Sequence, residues 1–307
     1  MKKILNVGSL NIDYVYQVPH FVQPGETLSS TGYARYPGGK GLNQSIALAR
    51  AGATVHHVGH VGADGTWLVD FLANESAGIS HLTQVDGPTG HAIIQVNTEG
   101  QNCILIEGGA NRCVTANDVA AAISDLGFEP GDYLLLQNET SAIGEIIALA
   151  AEKGLKVVFN PAPMDKTICK LDLQSIDVLV VNEVEAAELV GASDSDDYEP
   201  LLAKLKQSYP TTNILLTLGS RGSVYAGVDG TQHFEPAQKV VAVDTTAAGD
   251  TFIGYFLAQI ASGATVQSAM QLATRASAIC VSKAGAAPSI PRIEIKQHKH
   301  FKPSHFV

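Results

Sequence analysis

The sequence has few of the residues from which disulfide frameworks and zinc sites are built. Its four cysteines, Cys103, Cys113, Cys169 and Cys280, form no CxxC pair and show no zinc-type spacing. Isolated thiols in a chain of 307 residues are typical of reduced cysteines in a cytosolic protein. A chain of this length buries about three quarters of its unfolded surface. It therefore needs neither a disulfide nor a structural metal in order to fold.

A basic surface and a long apolar run are missing as well. The net charge is −10, so nucleic acid is not an expected partner. No run of about 18 apolar residues occurs, so no membrane span is expected. Asn6, Asn11 and Asp13 interrupt the apolar N-terminal segment, which favours a first strand over a secretory signal. We therefore expect a cytoplasmic protein.

What the sequence does contain is a regular alternation of short apolar runs and helical patterns. The runs that indicate buried strands are residues 4–10, 54–62, 132–137, 155–160, 176–182 and 213–219. The segments with helical spacing are residues 41–53, 66–78, 142–154, 183–191 and 201–210. This alternation predicts an α/β fold with a mostly parallel central sheet flanked by helices on both faces. We expect one such domain over residues 1–307.

Two regions interrupt the alternation. Residues 12–36 alternate apolar and polar side chains, and residues 90–107 indicate a hairpin that turns at NTEG. We expect the two regions to leave the main sheet and form a small β-sheet, which is either a lid over a site or a dimer surface. The chain ends in a tail rich in His and Lys, for which a frayed terminus is the expected state.

The segment VVAVDTTAAGDTF places small residues at the start of a helix. It predicts a strand over residues 240–244, a tight turn, and a helix from about Gly249. The first turn of a helix carries unpaired N–H groups and a partial positive charge, which favour an anion. Ala247, Ala248 and Gly249 would let the backbone approach a bulky anion closely. The segment therefore predicts a phosphate site.

Asp250 lies in that first turn and suits a different task. A carboxylate repels a phosphate, but it can take the proton from a hydroxyl that attacks the phosphate. The segment thus predicts phosphoryl transfer to an alcohol, with Asp250 as the base. The alternative is an ordinary helix start in which Asp244 or Thr246 provides the N-cap.

The segment YPGGKGLNQ, residues 36–44, indicates close backbone approach to a ligand. It fails the phosphate-loop pattern GxxxxGK[ST], because Gly41 follows Lys40. Lys40 and Asn43, with Asn11 and Asp13 after the first strand, offer groups that suit a polyhydroxylated molecule. The alternative is that Asn11 and Asp13 only form a turn.

Two further segments carry weaker signals. Asn182 ends a strand and Glu185 lies one turn into the next helix, a pair that suits hydrated Mg²⁺ near phosphates. The alternative is the ordinary preference of Glu for a first helical turn. TLGSRG, residues 217–222, suits the rim of a nucleotide site. We expect the histidines of residues 54–62 to pack in the core and not to bind a metal.

Together these segments resemble the ribokinase-type sugar kinase family. Residues 38–53, GGKGLNQSIALARAGA, are similar to its N-terminal signature, and residues 243–258, VDTTAAGDTFIGYFLA, to its C-terminal signature. NEVE, residues 182–185, is similar to its Asn-x-x-Glu motif, and the resemblance covers essentially the whole chain. It implies a kinase that transfers phosphate from ATP to a sugar. The expected reaction turns D-ribose into D-ribose 5-phosphate.

The resemblance also implies roles for individual residues. Those expected to bind the sugar are Asn11, Asp13, Gly39, Lys40, Asn43 and Glu139. Those expected to act on the reacting groups are the base Asp250 and the backbone of Ala247, Ala248 and Gly249. Those expected to border ATP and its Mg²⁺ are Asn182, Glu185, Thr217, Gly219, Ser220, Gly222, Gly249 and Thr274. Those expected around a monovalent cation, K⁺, are Asp244, Thr246, Ser289 and the carbonyls of Cys280, Lys283 and Gly285.

Some positions depart from the family pattern, which leaves the sugar open. Ile12 and Leu42 stand where typical members carry alanine, and Thr274 stands where His or Asn is usual. The segment IEGGANRCV, residues 106–114, replaces a segment of the HAGAN type. One alternative is a kinase for another sugar or a nucleoside. Another is a non-catalytic sugar sensor on the same fold, against which the presence of Asp250 argues. We expect a homodimer formed through the small sheet.

Overall fold

The computed structural model describes residues 1–192 and 197–293, so the His- and Lys-rich tail lies outside the described residues. The strands are β1 (Ile4–Val7), β2 (Asn11–Gln17), β3 (Gly32–Gly38), β4 (Val55–Val61), β5 (Gly78–Gln84), β6 (Gly90–Val96), β7 (Asn102–Glu107), β8 (Tyr133–Gln137), β9 (Lys156–Asn160), β10 (Val178–Asn182), β11 (Asn213–Thr217), β12 (Gly222–Ala226) and β13 (Gln232–Pro236). The α-helices are α1 (Lys40–Arg50), α2 (Thr66–Asn74), α3 (Ala116–Asp125), α4 (Ile143–Glu152), α5 (Glu183–Leu189), α6 (Tyr198–Ser208), α7 (Ala248–Ala261) and α8 (Val266–Val281).

A nine-stranded sheet forms the centre of the molecule, in the order β13-β12-β11-β10-β9-β8-β1-β4-β5. Every neighbouring pair from β11 to β5 is parallel, whereas β12 and β13 are antiparallel at one edge. The predicted mostly parallel sheet is therefore confirmed. The sequence patterns missed β5, β12 and β13. β5 and β13 lie at the two edges of the sheet, where one side meets solvent and a continuous apolar run is not required, and the short strand β12 lies between β11 and β13.

Helices cover both faces of this sheet, because successive strand side chains point in opposite directions. In β8, Leu134 and Leu136 pack into one core and Leu135 into the other. One core contains buried side chains of α1, α2, α7 and α8, and the other those of α3, α4, α5 and α6. The predicted covering of both faces is confirmed.

The prediction of a strand over residues 240–244 is wrong. Within the described part of the chain this segment pairs with no strand, and Val241 is 84% exposed. The N–H groups of Val243 and Asp244 both donate to the carbonyl of Val281, at 2.8 and 3.2 Å. Valine-rich sequence favours an extended backbone, but a strand also needs a neighbouring edge. The segment crosses the last turn of α8 instead.

Helices α1 and α7 pack directly on each other. The segment GGKGLNQ leads into α1, and AAGD leads into α7. A Cβ atom at Gly254 of α7 would lie 2.4 Å from Cβ of Ala47 in α1, so only glycine permits this approach. Asn43 and Asp250 lie one helical turn earlier on the two helices. The contact between small residues therefore brings the two N-terminal turns together.

The segments predicted to leave the main sheet form a second sheet of four strands, in the order β3-β2-β6-β7. β2 and β6 are parallel, whereas β2 pairs antiparallel with β3 and β6 antiparallel with β7. Asn97 and Gly100 close the turn between β6 and β7 with a backbone hydrogen bond of 3.0 Å. Each residue of β7 is exposed. The edge strand β7 thus exposes apolar side chains on both faces of the small sheet, Ile104 and Ile106 on one face and Leu105 on the other.

Within the described ranges, no α-helix combines the length and the apolar character that crossing a bilayer requires.

Candidate active site

The residues singled out by the sequence lie where several parallel strands of the main sheet end. Asn11 follows β1 and Glu139 follows β8, while Asn160, Asn182 and Thr217 are the last residues of β9, β10 and β11. Ligands of open α/β sheets bind at this edge, since loops and helix N-termini meet there. The N-termini of α1, α5 and α7 contribute residues to the same region. The fold thus gathers residues that are far apart in sequence.

The N-terminus of α7 has no side-chain cap among the described residues. Its N-cap residue, Ala247, has left-handed backbone angles, φ 61° and ψ 9°. The alternative in which Asp244 or Thr246 caps α7 is therefore wrong. Asp244 Oδ1 instead accepts from the backbone N–H and the hydroxyl of Thr246, at 2.9 and 2.6 Å. The first turn, Ala248 to Asp250, lines a cavity of about 250 Å³, where its donors can meet an anion.

Asp250 is buried at this cavity, and each of its carboxylate oxygens accepts a hydrogen bond. Gln44 Nε2 donates to Oδ1 at 2.9 Å, and Asn43 Nδ2 donates to Oδ2 at 3.1 Å. The Asn43 Oδ1 atom is buried and has no hydrogen-bond partner in the described part of the chain. Sequence reasoning missed Gln44, although its position beside Asn43 in GGKGLNQ was the available signal.

Lys40 lines the same cavity and is surrounded by carboxylates. Burial lowers the pKa of Lys40, but the negative charges of Asp250, Glu139 and Glu185 outweigh this effect and raise it. A lysine whose pKa lies above its ordinary value is protonated at neutral pH. The cavity therefore contains a fixed cation beside the open N-terminus of α7.

Glu139 binds the N-terminus of α1. Its Oε2 atom accepts from the backbone N–H of Lys40 at 2.9 Å and from the hydroxyl of Ser9. The Ser9 hydroxyl in turn accepts from the N–H of Gly41 at 3.2 Å. Gly39 precedes this turn with φ 93°, which glycine adopts without strain. Ser9 is a second residue that sequence reasoning missed.

Asn11 and Asp13 lie on β2 beside this turn. Asn11 Oδ1 accepts from Asn111 Nδ2 at 2.7 Å, and the Asn11 amide nitrogen donates to no side chain or backbone group of the described residues. Burial, together with the charge of Glu139, raises the pKa of Asp13 from 3.8 to about 7. The alternative in which Asn11 and Asp13 only form a turn does not fit, because both lie within a strand.

A larger cavity of about 610 Å³ adjoins the first. Of the residues predicted to border a nucleotide, Glu185 lines the smaller cavity. The others line the larger one: Asn182, Thr217, Gly219, Ser220, Gly222, Gly249 and Thr274. Phe252 and residues 237–240 complete walls that the sequence did not predict. Cavities of about 300–1,000 Å³ hold small-molecule ligands of nucleotide size. Asn182, Thr217 and Gly249 line both cavities, so the two spaces meet.

Asn182 and Glu185 form a reciprocal cap at the N-terminus of α5. Asn182 Oδ1 accepts from the N–H of Glu185 at 2.8 Å, and the N–H of Asn182 donates to Glu185 Oε2 at 3.0 Å. Burial raises the pKa of Glu185, and the charge of Lys40 opposes this shift. Asn182 and Glu185, which were predicted to hold Mg²⁺, therefore also stabilise the first turn of α5, the structural role that was considered as the alternative. The cap uses one oxygen of Glu185, and Oε1 remains for a ligand.

Most residues predicted to surround a monovalent cation come together behind the start of α7. Asp244 Oδ2 accepts from the N–H of Gly285 at 2.9 Å. Burial raises the pKa of Asp244, but its hydrogen bonds from Thr246 and Gly285 outweigh burial and lower it. The Cys280 thiol contacts the Ser289 hydroxyl at 3.0 Å and the Thr246 carbonyl at 3.7 Å. The N–H of Lys283 donates to the Cys280 carbonyl at 3.1 Å, so that carbonyl already has one partner.

Comparisons with known proteins agree with this arrangement. The family model described as pfkB family carbohydrate kinase matches residues 1–293. Ribokinase of Haemophilus influenzae is 36% identical over 298 residues, which cover 95% of this chain and 96% of the relative.

Solved structures give the same result. A ribokinase of Cryptococcus neoformans var. grubii in complex with ADP has a TM-score of 0.83 and 34% identity, covering 95% of this chain and 97% of that one. An Arabidopsis thaliana ribokinase complexed with ribose and ATP has a TM-score of 0.85 and 28% identity, covering 94% and 96% of the two chains. The chain belongs to the pfkB family of carbohydrate kinases.

Proposed function

We propose that this protein transfers the γ-phosphate of ATP to the primary hydroxyl of D-ribose, giving D-ribose 5-phosphate and ADP. The family consists of carbohydrate kinases, and the relatives named ribokinase match this chain along nearly its whole length. The neighbouring Arabidopsis structure holds ribose and ATP together. The observation that carries the proposal is the buried carboxylate of Asp250 at a cavity shared with Lys40 and the uncapped N-terminus of α7.

The sugar binds between β2 and the N-terminal turn of α1. The Asn43 Oδ1 atom, which has no partner among the described residues, accepts a hydrogen bond from a sugar hydroxyl. This hydrogen bond removes the cost of a buried acceptor without a partner. The free amide of Asn11 and the carboxylates of Asp13 and Glu139 bind the remaining hydroxyls. When a hydroxyl enters beside Asp250, it takes the place of the Asn43 amide on Oδ2. The primary hydroxyl is then in contact with its base.

Asp250 takes the proton as the hydroxyl oxygen attacks the γ-phosphorus in line, and ADP leaves. A positioned base typically contributes about 10²- to 10⁴-fold to a rate. The N–H groups of Ala248 and Gly249 and the Lys40 ammonium stabilise the charge on the transferred group. One such donor is typically worth about 2.7–4 kcal/mol.

Mg²⁺ and K⁺ are part of the proposal, and the residues present suit both ions. Mg²⁺ keeps several waters and needs only one or two carboxylates in addition to phosphate oxygens. Glu185 Oε1, which the α5 cap does not use, is the carboxylate oxygen available for it. Asp244, Ser289 and the Thr246 carbonyl offer oxygen ligands for K⁺ behind α7. That ion would neutralise Asp244 and fix the turn before the phosphate site.

We also propose that the small sheet closes over the sugar and forms a homodimer through its exposed edge strand β7. Asn11 and Asp13 lie on β2 of this sheet, so the sheet moves with part of the sugar site. Ile104 and Leu105 are 50% and 68% exposed, which is unusual for two adjacent large apolar residues. Leu105→Glu is expected to convert a dimer into a monomer in light scattering. A wild-type monomer would contradict this part of the proposal.

A coupled assay of ADP release over ribose, deoxyribose, fructose, fructose phosphates and nucleosides tests the substrate. Ribose is expected to give the highest kcat/KM. A higher value for another sugar or a nucleoside would favour the first alternative. Ribose binding without ADP release would favour the sensor.

Asp250→Asn tests the chemistry. This variant keeps the shape of the side chain and is expected to retain ribose and ATP binding in calorimetry while kcat falls by about 10²- to 10⁴-fold. Turnover within twofold of the wild type would remove Asp250 from the role of base.

A further inference from the structure

The two amides that bind Asp250 differ in their other contacts. Asn43 donates to Oδ2, and its own carbonyl oxygen has no partner among the described residues. Gln44 donates to Oδ1, is fully buried, and has hydrogen bonds at both ends of its amide. Asn43 is therefore built to exchange its partner, whereas Gln44 is held in place.

A chain of fully buried polar side chains leads from Gln44 to the other side of α1. Gln137 Nε2 donates to Gln44 Oε1 at 2.8 Å and to Asn6 Oδ1 at 2.9 Å. Asn6 Nδ2 donates to the hydroxyl of Ser45 at 2.7 Å and to the carbonyl of Gly41 at 2.8 Å. The chain joins β1, β8 and α1, whose backbones are already fixed by the main sheet and its core.

His57 ends this chain and fixes the direction of its hydrogen bonds. Burial lowers the pKa of His57 to about 4, so the ring is neutral at neutral pH. Its Nε2 atom lies 3.0 Å from the carbonyl of Gly8, which can only accept, so Nε2 carries the proton. Nδ1 therefore accepts from the hydroxyl of Ser45 at 2.7 Å. That leaves the Ser45 oxygen to accept from Asn6, as the distances require.

This series of hydrogen bonds ends in acceptors on both sides, the carboxylate of Asp250 at one end and the carbonyl of Gly8 at the other. Gln137 lies between them and donates in both directions. A reversed Gln44 amide would place its carbonyl oxygen against the carboxylate of Asp250 and its nitrogen against the nitrogen of Gln137. Both contacts would be repulsive, so Gln44 has a single orientation. Gln137 Oε1 is the one buried atom of these five side chains without a partner among the described residues, whereas both ends of the Gln44 amide are hydrogen-bonded. The contacts that Gln44 makes itself therefore hold it rigidly.

We propose that Gln44 is the positioning residue for the catalytic base: it holds Oδ1 of Asp250 so that Oδ2 faces the sugar hydroxyl when Asn43 turns to the substrate. This inference rests on the proposed role of Asp250. It assigns different tasks to adjacent residues, since Asn43 binds the sugar and Gln44 orients the base. A small error in the direction of Oδ2 lowers the rate of proton transfer without changing the affinity for either substrate.

Gln44→Met tests the inference, because methionine fills the same space and donates no hydrogen bond. We expect kcat to fall by about 10- to 100-fold. We expect the KM values for ribose and ATP, and their dissociation constants in calorimetry, to stay within about twofold of the wild type. Gln137→Met removes the contact behind Gln44 and should lower kcat by a smaller factor than Gln44→Met. A residue that only fills the core would show neither the split between kcat and KM nor this gradation.

Thr251→Val is the matched control. The hydroxyl of Thr251 is fully buried next to Asp250 and has no hydrogen-bond partner among the described residues, so its loss should leave kcat unchanged. Gln44→Glu covers the case in which Gln44→Met fails to fold. It keeps the shape of the side chain, and at a pH where both carboxyl groups are ionised it repels Asp250 and donates no hydrogen bond, so kcat measured there should fall at least as far.

Wild-type kcat in either Gln44 variant would overturn the inference, as would a loss confined to ribose binding. Asp250→Asn separates this failure from failure of the proposed function. If Asp250→Asn is inactive while the Gln44 variants are normal, only the role of Gln44 is wrong. If Asp250→Asn is active, the base itself is wrong.

Discussion

Two helices, α5 and α7, begin at the same small cavity, and their first turns are built in opposite ways. Each carries an acidic residue at its third position, Glu185 in α5 and Asp250 in α7. In α5 the acid reaches back to the N-cap residue and completes a capping box. In α7 the acid binds side chains of α1, and no side chain of the described residues caps the helix.

The difference shows that the same position in a helix can serve either stability or chemistry. A capping box satisfies donors of the first turn and typically contributes about 1 kcal/mol. Leaving α7 without a side-chain cap forgoes that contribution. The N–H of Ala248 donates to the Thr245 carbonyl at 3.2 Å, and the N–H groups that follow it in the first turn stay available for an anion. The carboxylate of Asp250 is free of the capping task and can act on a substrate. We therefore expect stability and turnover to respond differently to changes at the two helices.

Adding a charge to the open helix should give the largest effect. Ala248→Asp places a carboxylate in the first turn of α7, which favours the helix dipole by about 0.3–1 kcal/mol. The same charge repels a phosphate, so turnover should fall by about 10²-fold or more. Thermal unfolding and ADP release measure the two effects. Ala248→Asn is the neutral control, and equal turnover in the two variants would show that no anion binds there.

Changes at the capped helix should separate the two properties of Glu185. Gln is also suited to a capping box, so Glu185→Gln should leave the free energy of unfolding unchanged. It removes the charge, so kcat should fall by about tenfold and more Mg²⁺ should be needed for half-maximal activity. Glu185→Ala should in addition lower the free energy of unfolding by about 1 kcal/mol. A Gln variant with normal Mg²⁺ dependence would limit Glu185 to its structural role.

The sugar side offers a second contrast, since Glu139 binds the N-terminus of α1 whereas Asp13 lies at no helix end. Asp13 has a pKa of about 7, so its acceptor form increases as the pH rises through 7. The KM for ribose should therefore fall by up to about tenfold between pH 6 and pH 8. In Asp13→Asn this dependence should disappear.

The same pKa predicts how Asp13 affects stability. The folded protein holds the Asp13 proton more tightly than the unfolded chain, whose pKa is near 3.8. Tighter binding of this proton stabilises the folded protein. This contribution to the free energy of unfolding is fully present below pH 3.8 and is lost as the pH rises through 7. Asp13→Asn should gain in thermal stability relative to the wild type over this interval. A constant difference would argue against the raised pKa.

The smallest effect concerns the turn that precedes α7. Replacing Na⁺ by K⁺ at constant ionic strength should raise turnover several-fold, because an ion bound by Asp244 and Ser289 fixes this turn. Asp244→Asn should abolish the response and leave the capped start of α5 unaffected. Equal rates of the wild-type protein in the two salts would contradict the proposed cation site.

Local sequence predicted much of this molecule. The alternating apolar runs gave most strands of the main sheet, and small residues before Asp250 indicated an accessible helix start. The edge strands β5 and β13 were missed because they need little apolar sequence, and the short strand β12 beside β13 was missed with them. Residues 240–244 were assigned as a strand because their composition favours one, yet they pair with no strand of the described residues and bind the end of α8 instead.

The sequence by itself determined the family, the alternating architecture and the positions of Asp250, Lys40 and Glu185, since each depends on residues adjacent in the chain. Only the tertiary structure decided that Asp244 binds Gly285 and not the start of α7, and that Gln44 is joined to Gln137 and Asn6. The physical reason is that a buried polar group needs a partner of matching hydrogen-bond character, and that partner can come from anywhere in the chain.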